Sequence, residues 1–111
     1  MPNLHVQLDR VFHALSDPTR RAVLTRLSDG PLPVSELARP FHMALPSFTQ
    51  HLGVLEECGL VRSHKRGRVR TYRLTPEPLK EAEHWIERRR VIWELRLDQL
   101  DNCLEELKEK K

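Results

Sequence analysis

Two neighbouring groups of polar side chains near the middle of the chain have the chemistry to bind a polyanion. The first group lies on a predicted helix and comprises Ser47, Thr49, Gln50 and His51. The second lies on a predicted hairpin and comprises Lys65, Arg66 and Arg68. A glutamine can bond the N6 and N7 edge of adenine, hydroxyl and imidazole groups bond bases or phosphates, and basic side chains attract phosphate oxygens. The two groups together predict contacts to double-stranded DNA.

The positive charge of the chain is concentrated around the second group. The net charge is +3, yet residues 1–57 sum to −1 and residues 76–111 to −2, whereas residues 58–75 carry six basic and no acidic side chains. Taken alone, the first group would be explained by a solvated helix face and the second by a charged sheet edge. Their adjacency, and the alternation of basic with apolar residues, favour a folded surface that faces a polyanion.

Apolar residues at helical spacing predict four helices in the first half of the chain. The segments are 3–15, 17–28, 34–40 and 45–57. Ser16-Asp17-Pro18 is typical of a helix start, because proline suits the first helical turn. On the second helix, three side chains are predicted to point outward, those of Arg20, Arg21 and Arg26. The third helix is predicted to be capped by Ser35 or by the residue before it.

The fourth predicted helix has an apolar and a polar face. The apolar stripe is spaced 3, 4 and 3 residues apart and consists of Leu45, Phe48, Leu52 and Leu55. The opposite face consists of Ser47, Gln50, Gly53, Val54 and Glu57, flanked by Thr49 and His51. Gly59 then suits a left-handed position after the helix.

From residue 60 to residue 74 the pattern alternates, as it does in a strand. Gly67 separates two such runs, which predicts a two-stranded hairpin with the basic tip Lys65-Arg66-Gly67-Arg68. The order of elements is therefore helix, turn, helix and then a hairpin with an arginine-rich tip. A helix of this kind fits the major groove, and the hairpin tip reaches phosphates or a neighbouring minor groove.

A long helix, about residues 77 to 108, is predicted at the C-terminus. It would be roughly 48 Å long, which exceeds the ~26 Å diameter of a domain of this size. Its seam is spaced 4, 3, 4 and 3 residues apart and consists of Trp93, Leu97, Leu100, Leu104 and Leu107. Nothing else in the chain is left to cover this seam, so the sequence predicts a homodimer.

The predicted fold is a winged helix-turn-helix, mainly α with a small β-hairpin, followed by a long C-terminal dimerisation helix. Residues 1–111 form one domain in this interpretation. A DNA-binding core spans 3–75, with the wing at 60–74, and the dimerisation helix spans 76–111. A hydrophobic fraction of 39% in 111 residues supports one modest core and not two.

Several stretches resemble the ArsR/SmtB family of bacterial repressors. They are 14–21, 34–38, 45–52 and 54–61, with Arg66-Gly67-Arg68 and Tyr72-Arg73-Leu74 in the wing. The resemblance implies a homodimeric repressor on a palindromic operator. It also implies dimerisation through the first and last helices, which adds Leu8 to the seam. Ala44 stands where the family commonly has Ser or Thr, and Gly53 where relatives commonly have Lys, so a different operator preference is expected.

The residues at the family's metal positions do not favour a metal sensor. Pro33 and Ser35 stand where the best-known members carry a Cys-x-Cys pair. On the last helix only His84 is present, among Glu81, Glu83 and Glu87. We therefore predict neither a metal nor a cofactor. A small-molecule inducer of unknown identity stays open, with Trp85 and Trp93 belonging either to core and seam or to a pocket between subunits.

The remaining features separate the classes of function. Cys58 and Cys103 are predicted to be buried inert thiols, with redox sensing as the alternative. No catalytic triad, buried carboxylate pair or phosphate loop is present in the sequence, which argues against an enzyme. No apolar run is long enough to span a bilayer, and the chain is predicted to be cytoplasmic. A protein-interaction module without DNA binding is the competing hypothesis, and the outward arginines argue against it.

Overall fold

The computed structural model describes residues 4–109, with side chains from residue 7 onward. The helices are α1 (Leu4–Leu15), α2 (Pro18–Leu27), α3 (Val34–Ala38), α4 (Leu45–Glu57) and α5 (Glu77–Glu109). The strands are β1 (Leu32–Pro33), β2 (Val61–Arg66) and β3 (Val69–Leu74). The predicted fold class is confirmed. The predicted start of the first helix, at residue 3, lies outside the described residues.

Helix α2 begins as its sequence predicts. The Asp17 carboxylate Oδ2 accepts a hydrogen bond of 3.1 Å from the backbone N–H of Arg20, and Pro18 occupies the first turn. Helix α3 differs from the prediction, because Pro33 is its N-cap and no side chain caps it. Pro33 is also the last residue of β1, so the chain passes directly from strand to helix.

The sheet has three antiparallel strands in the order β1-β3-β2, so the prediction of a two-stranded hairpin was incomplete. Strand β1 adds to the outer side of β3 with Leu32 opposite Tyr72. The β2–β3 register pairs Arg66 with Val69, which leaves Gly67-Arg68 as a two-residue turn. Gly67 has a φ of +63°, a left-handed conformation that glycine adopts without steric cost.

One hydrophobic core joins α1, α2, α3, α4, the sheet and the first turns of α5. Its buried members are Val11, Ala14, Val23, Leu24, Leu27, Leu37, Phe48, Leu52, Leu55, Cys58, Leu60, Val61, Tyr72 and Ala82. The stripe predicted for α4 is confirmed at Phe48, Leu52 and Leu55 but is wrong at Leu45, which is 57% exposed. Leu45 is the first residue of α4, and the packing against the core begins one turn later, where the Phe48 ring lies 5.2 Å from that of Phe41.

Helix α5 leaves the core after its first turns. Every described side chain from Arg90 to Glu109 is exposed. The described chain is consequently 76 Å long with a radius of gyration of 20.5 Å, against about 13 Å for a compact chain of this length. None of the helices in the described range is long and apolar enough to cross a membrane.

Candidate nucleic-acid interface

The outward face of α4 carries polar side chains that are free to contact another molecule. Ser47, Thr49 and Gln50 are exposed, as the sequence predicts. The Thr49 hydroxyl donates to the carbonyls of Leu45 and Pro46, at 3.1 and 3.0 Å. Val54 differs from the prediction, because it is half-buried and packs against the core.

His51 lies at the flank of α4 that faces α2. Its Nδ1 is 3.2 Å from the Arg20 guanidinium Nη1 and 3.7 Å from Asp17 Oδ2. The prediction that Arg20 points outward is wrong, since Arg20 is only 8% exposed. Its guanidinium turns inward because the last carbonyls of α1 supply acceptors there. Periodicity alone does not reveal such acceptors.

Asp17 links the α2 cap to the same cluster. Burial acts to raise the pKa of its carboxyl group. Hydrogen bonds from the backbone N–H groups of Arg20 and Thr19, together with the nearby imidazole of His51 and guanidinium of Arg20, outweigh that effect, and the pKa of Asp17 is lowered. Asp17 is therefore held as a carboxylate at neutral pH.

The wing presents its basic tip to the solvent. Lys65, Arg66 and Arg68 are all exposed, in agreement with the prediction. Arg68 belongs to the two-residue turn, and Arg66 is the last residue of β2. Among the described residues, none of these three side chains takes part in a salt bridge. Their charges are thus available to phosphate groups.

The wing is attached to α4 by side chains and by backbone. Arg70 Nη1 donates to Ser63 Oγ at 2.8 Å, and Ser63 donates to Glu56 Oε1 at 2.8 Å. The turn between α4 and β2 uses Gly59 at a φ of +78°, as predicted. The bonds that sequence reasoning missed are those of Ser63, Glu56 and Arg70, which join residues seven apart on different elements. They connect both strands of the wing to α4.

Comparison with known proteins identifies the family. Residues 15–64 match a family described as a helix-turn-helix domain (HTH_20). The chain is 32% identical to the transcriptional repressor SdpR of Bacillus subtilis over 79 residues, which are 71% of this chain and 88% of that relative. The crystal structure of an ArsR family transcriptional regulator, RHA00566, is 53% identical with a TM-score of 0.79, and the match covers 85% of this chain and 97% of that one. The chain belongs to the ArsR family of transcriptional regulators.

Family membership confirms the predicted resemblance and class of function. A further solved relative is the homodimeric winged helix-turn-helix DNA-binding domain Mb0332 from Mycobacterium bovis, which is 26% identical with a TM-score of 0.62 over 86% of each chain. Because the relatives are regulators of transcription, the protein is a DNA-binding regulator and not an enzyme. In this ArsR-family chain, α4 has the place of the second helix of the helix-turn-helix, and the β2–β3 hairpin has the place of the wing.

The predicted dimerisation residues are largely uncovered in the single ArsR-family chain. The α5 seam residues are 49–60% exposed and comprise Trp93, Leu97, Leu100, Leu104 and Leu107. Leu8 of α1 is half-buried and packs against the core. Nearer the start of α5, the Trp85 ring meets the Phe12 ring edge-on at 5.8 Å, and the Arg89 guanidinium lies 5.3 Å from the centre of the Trp85 ring.

The two cysteines of this regulator have different surroundings. Cys58 is buried at the end of α4, and its Sγ donates to the Leu55 carbonyl at 3.3 Å. Burial raises the pKa of this thiol, so it is uncharged at neutral pH. Cys103 is exposed on α5, so the predicted burial of both thiols holds in this chain only for Cys58. Among the described side chains, those of residues 7–109, no three histidine, cysteine or carboxylate groups are placed to hold a metal.

Proposed function

We propose that the protein is a homodimeric repressor that binds a palindromic operator through α4 and the wing. The observation that carries the proposal is the exposed polar face of the recognition helix, held next to an exposed basic wing by the Arg70–Ser63–Glu56 hydrogen bonds. A winged helix-turn-helix uses these two elements to contact the major groove and the backbone of the same duplex.

The two elements have different roles in this proposal. Ser47, Thr49 and Gln50 lie on the first two turns of α4, the part of a recognition helix that reaches base edges. We assign Gln50 to a base, because its amide offers a donor and an acceptor side by side. Lys65, Arg66 and Arg68 hold the phosphate backbone, which positions the protein without reading the sequence.

Dimerisation belongs to the same proposal. The exposed seam of α5 is too apolar to remain in water along a whole helix face, and no described residue of the same chain covers it. The relative Mb0332 is described as a homodimer, which supports a second copy of this chain as the partner. Residues 3–75 then form the DNA-binding core and residues 76–111 the dimerisation helix, with Leu8 joining the interface.

Selection of bound sequences from random duplex DNA with the purified full-length protein tests the function. We expect enrichment of a palindrome, because a two-fold symmetric dimer binds two equal half-sites. The half-sites should lie roughly 34–36 Å apart, one helical turn of DNA, or a multiple of that distance. Protein that binds no duplex would contradict the proposal and favour the protein-interaction module.

A further inference from the structure

Arg20 is the buried charged residue of the described chain, and its guanidinium joins two helices. Nε donates to the Ala14 carbonyl at 2.8 Å and Nη2 to the His13 carbonyl at 3.0 Å. These acceptors lie in the last turn of α1, where carbonyls have no partner within the helix. The remaining arm, Nη1, lies 3.2 Å from Nδ1 of His51 on the recognition helix.

We assign the hydrogen of the His51 ring from its contact with Arg20. A guanidinium has donors only, so Nδ1 must be the acceptor in its contact with Arg20. The carboxylate Oδ2 of Asp17 is farther from Nδ1, at 3.7 Å, and already accepts from the backbone N–H of Arg20. An imidazole that accepts through Nδ1 is neutral and carries its hydrogen on Nε2.

Nε2 of His51 is open to the solvent. No hydrogen bond within the described part of the chain uses Nε2. Nε2 is not a buried atom without a partner either, since the one such side-chain nitrogen or oxygen in the described residues is Nε of Arg89. The His51 side chain is 23% exposed. It follows Gln50 directly and flanks the polar face of α4, a place that suits the DNA backbone better than a base edge.

We infer that Arg20 is a positioning residue for DNA binding, which holds His51 with its Nε2–H turned outward as a donor to a phosphate oxygen. The inference rests on the proposed function. It gives His51 a fixed role in place of a freely rotating polar side chain. The contact is made by a neutral group, so it strengthens binding without displacing an additional counterion.

Two isosteric substitutions of His51 test the donor. In His51→Asn the amide oxygen replaces Nδ1 and keeps the Arg20 contact, but no group reaches the position of Nε2. In His51→Gln the amide nitrogen replaces Nε2 and keeps the donor. We expect His51→Asn to weaken binding about tenfold or more, on selected and random duplexes alike. His51→Gln should stay within about threefold of the unmodified protein.

The salt dependence of binding separates this contact from those of the wing. We expect His51→Asn to leave the slope of affinity against salt concentration unchanged, because no charge is removed. Arg68→Ala should lower the magnitude of that slope by about one. Equal affinities of His51→Asn and His51→Gln would overturn the role given to Nε2.

A double-mutant cycle tests the part played by Arg20. Arg20→Lys keeps the charge, but one ammonium group cannot replace three nitrogens spread over two carbonyls and an imidazole. We expect Arg20→Lys to weaken DNA binding about tenfold alone and to add little in the His51→Asn background. Equal losses in both backgrounds would mean that Arg20 acts on the fold only, and would overturn the inference.

Arg21 provides the matched control. It also lies on α2 and also donates to the end of α1, through Nη1 to the Leu15 carbonyl at 2.7 Å, but it has no hydrogen bond to α4 in the described chain. Arg21→Lys should leave DNA affinity unchanged. If the unmodified protein binds no duplex, the proposed function fails and the inference with it. If it binds and Arg68→Ala weakens it, the His51 and Arg20 variants decide the positioning role alone.

Discussion

Gln50 is the exposed residue that we assign to reading a base. We expect Gln50→Ala to cost about 1–3 kcal/mol of binding free energy on the selected operator and less on random DNA. Truncation removes a paired donor and acceptor, and only the correct base uses both. Titration of both duplexes at one salt concentration measures the difference. Equal losses on the two duplexes would show that Gln50 contacts the backbone.

Arg68 should contribute to the affinity for any DNA duplex, whatever its sequence. Because it sits in the wing turn and has no salt-bridge partner in the described structure, we expect Arg68→Ala to weaken operator and random DNA by similar amounts. Lys80→Ala, on α5, is the control for loss of one positive charge. A loss confined to the operator would instead indicate that the wing reads a narrow minor groove.

Asp17 makes the free energy of unfolding depend on pH. Its pKa is lowered in the folded state, so its contribution is complete above the unfolded-state value of about 3.9 and is lost as the pH falls through the folded value. We expect Asp17→Ala to lower the free energy of unfolding by about 1 kcal/mol at pH 7, as loss of a helix cap does. Urea unfolding at pH 7 and pH 3 should show a smaller gap at pH 3 than at pH 7. A gap of the same size at both values would show that the charge plays no part.

At the scale of elements, α4 has leucines with opposite environments. Leu52 is fully buried and Leu45 is 57% exposed. We expect Leu52→Ala to lower the free energy of unfolding by about 2–5 kcal/mol, because it leaves a cavity in the core. Leu45→Ala should change it by less than about 0.5 kcal/mol. Chemical denaturation of the two variants checks this, and similar losses would place Leu45 in the core.

The sequence predicts elements better than it predicts their contacts. Helices α2, α4 and α5 were predicted to within a residue or so, because their apolar spacing is long enough to show a period. Strand β1 is two residues long, which is too short for its sequence to show a period. Its residue Leu32 pairs with Tyr72, forty positions further along the chain. Burial of Arg20 was missed for a related reason. The acceptors of Arg20 are carbonyls of another helix. Because residue type alone predicts that an arginine points to the solvent, the sequence did not reveal them.

For the candidate site too, the sequence predicts some features and not others. Exposure of Gln50 and of the wing arginines follows from local pattern, and the structure agrees with it. The attachment of His51 to Arg20, and of Ser63 to Glu56, depends on how α2, α4 and β2 pack together. The residues that we propose to contact DNA were thus predictable from the sequence pattern, whereas the residues that we propose to position them become apparent only in the fold.

At the scale of the whole molecule, the protein is expected to be a homodimer. Changing Leu97 and Leu100 both to Lys should give monomers and abolish DNA binding, because four charges would enter the seam of the dimer. The control changes Gln99 and Asn102 to Lys, which adds the same charge outside the seam of α5. Sedimentation at micromolar concentration measures the mass. A monomeric unmodified protein would refute the dimer.

Metal is not expected to be the inducing signal of this regulator. We predict that zinc, cadmium or arsenite at modest excess leaves operator affinity unchanged. The physical reason is that Pro33 and Ser35 supply no thiolate and His84 is the single histidine of α5. Titration of operator DNA with and without each metal checks this. A stoichiometric metal that weakens binding tenfold would refute it.

The uncovered half of α5 makes the folding of each protomer depend on how much protein is present. Residues 90–109 are exposed throughout, so in the single described chain this part of α5 lacks the tertiary packing that supplies most of the stability of a helix in a protein. In the proposed dimer, association with a second copy supplies the order that the single chain lacks, and dilution withdraws it. Below the dissociation constant of the dimer, the amount of DNA-competent protein rises with the square of protomer concentration. A cell that halves its synthesis of the protein would then lose about three quarters of its active form.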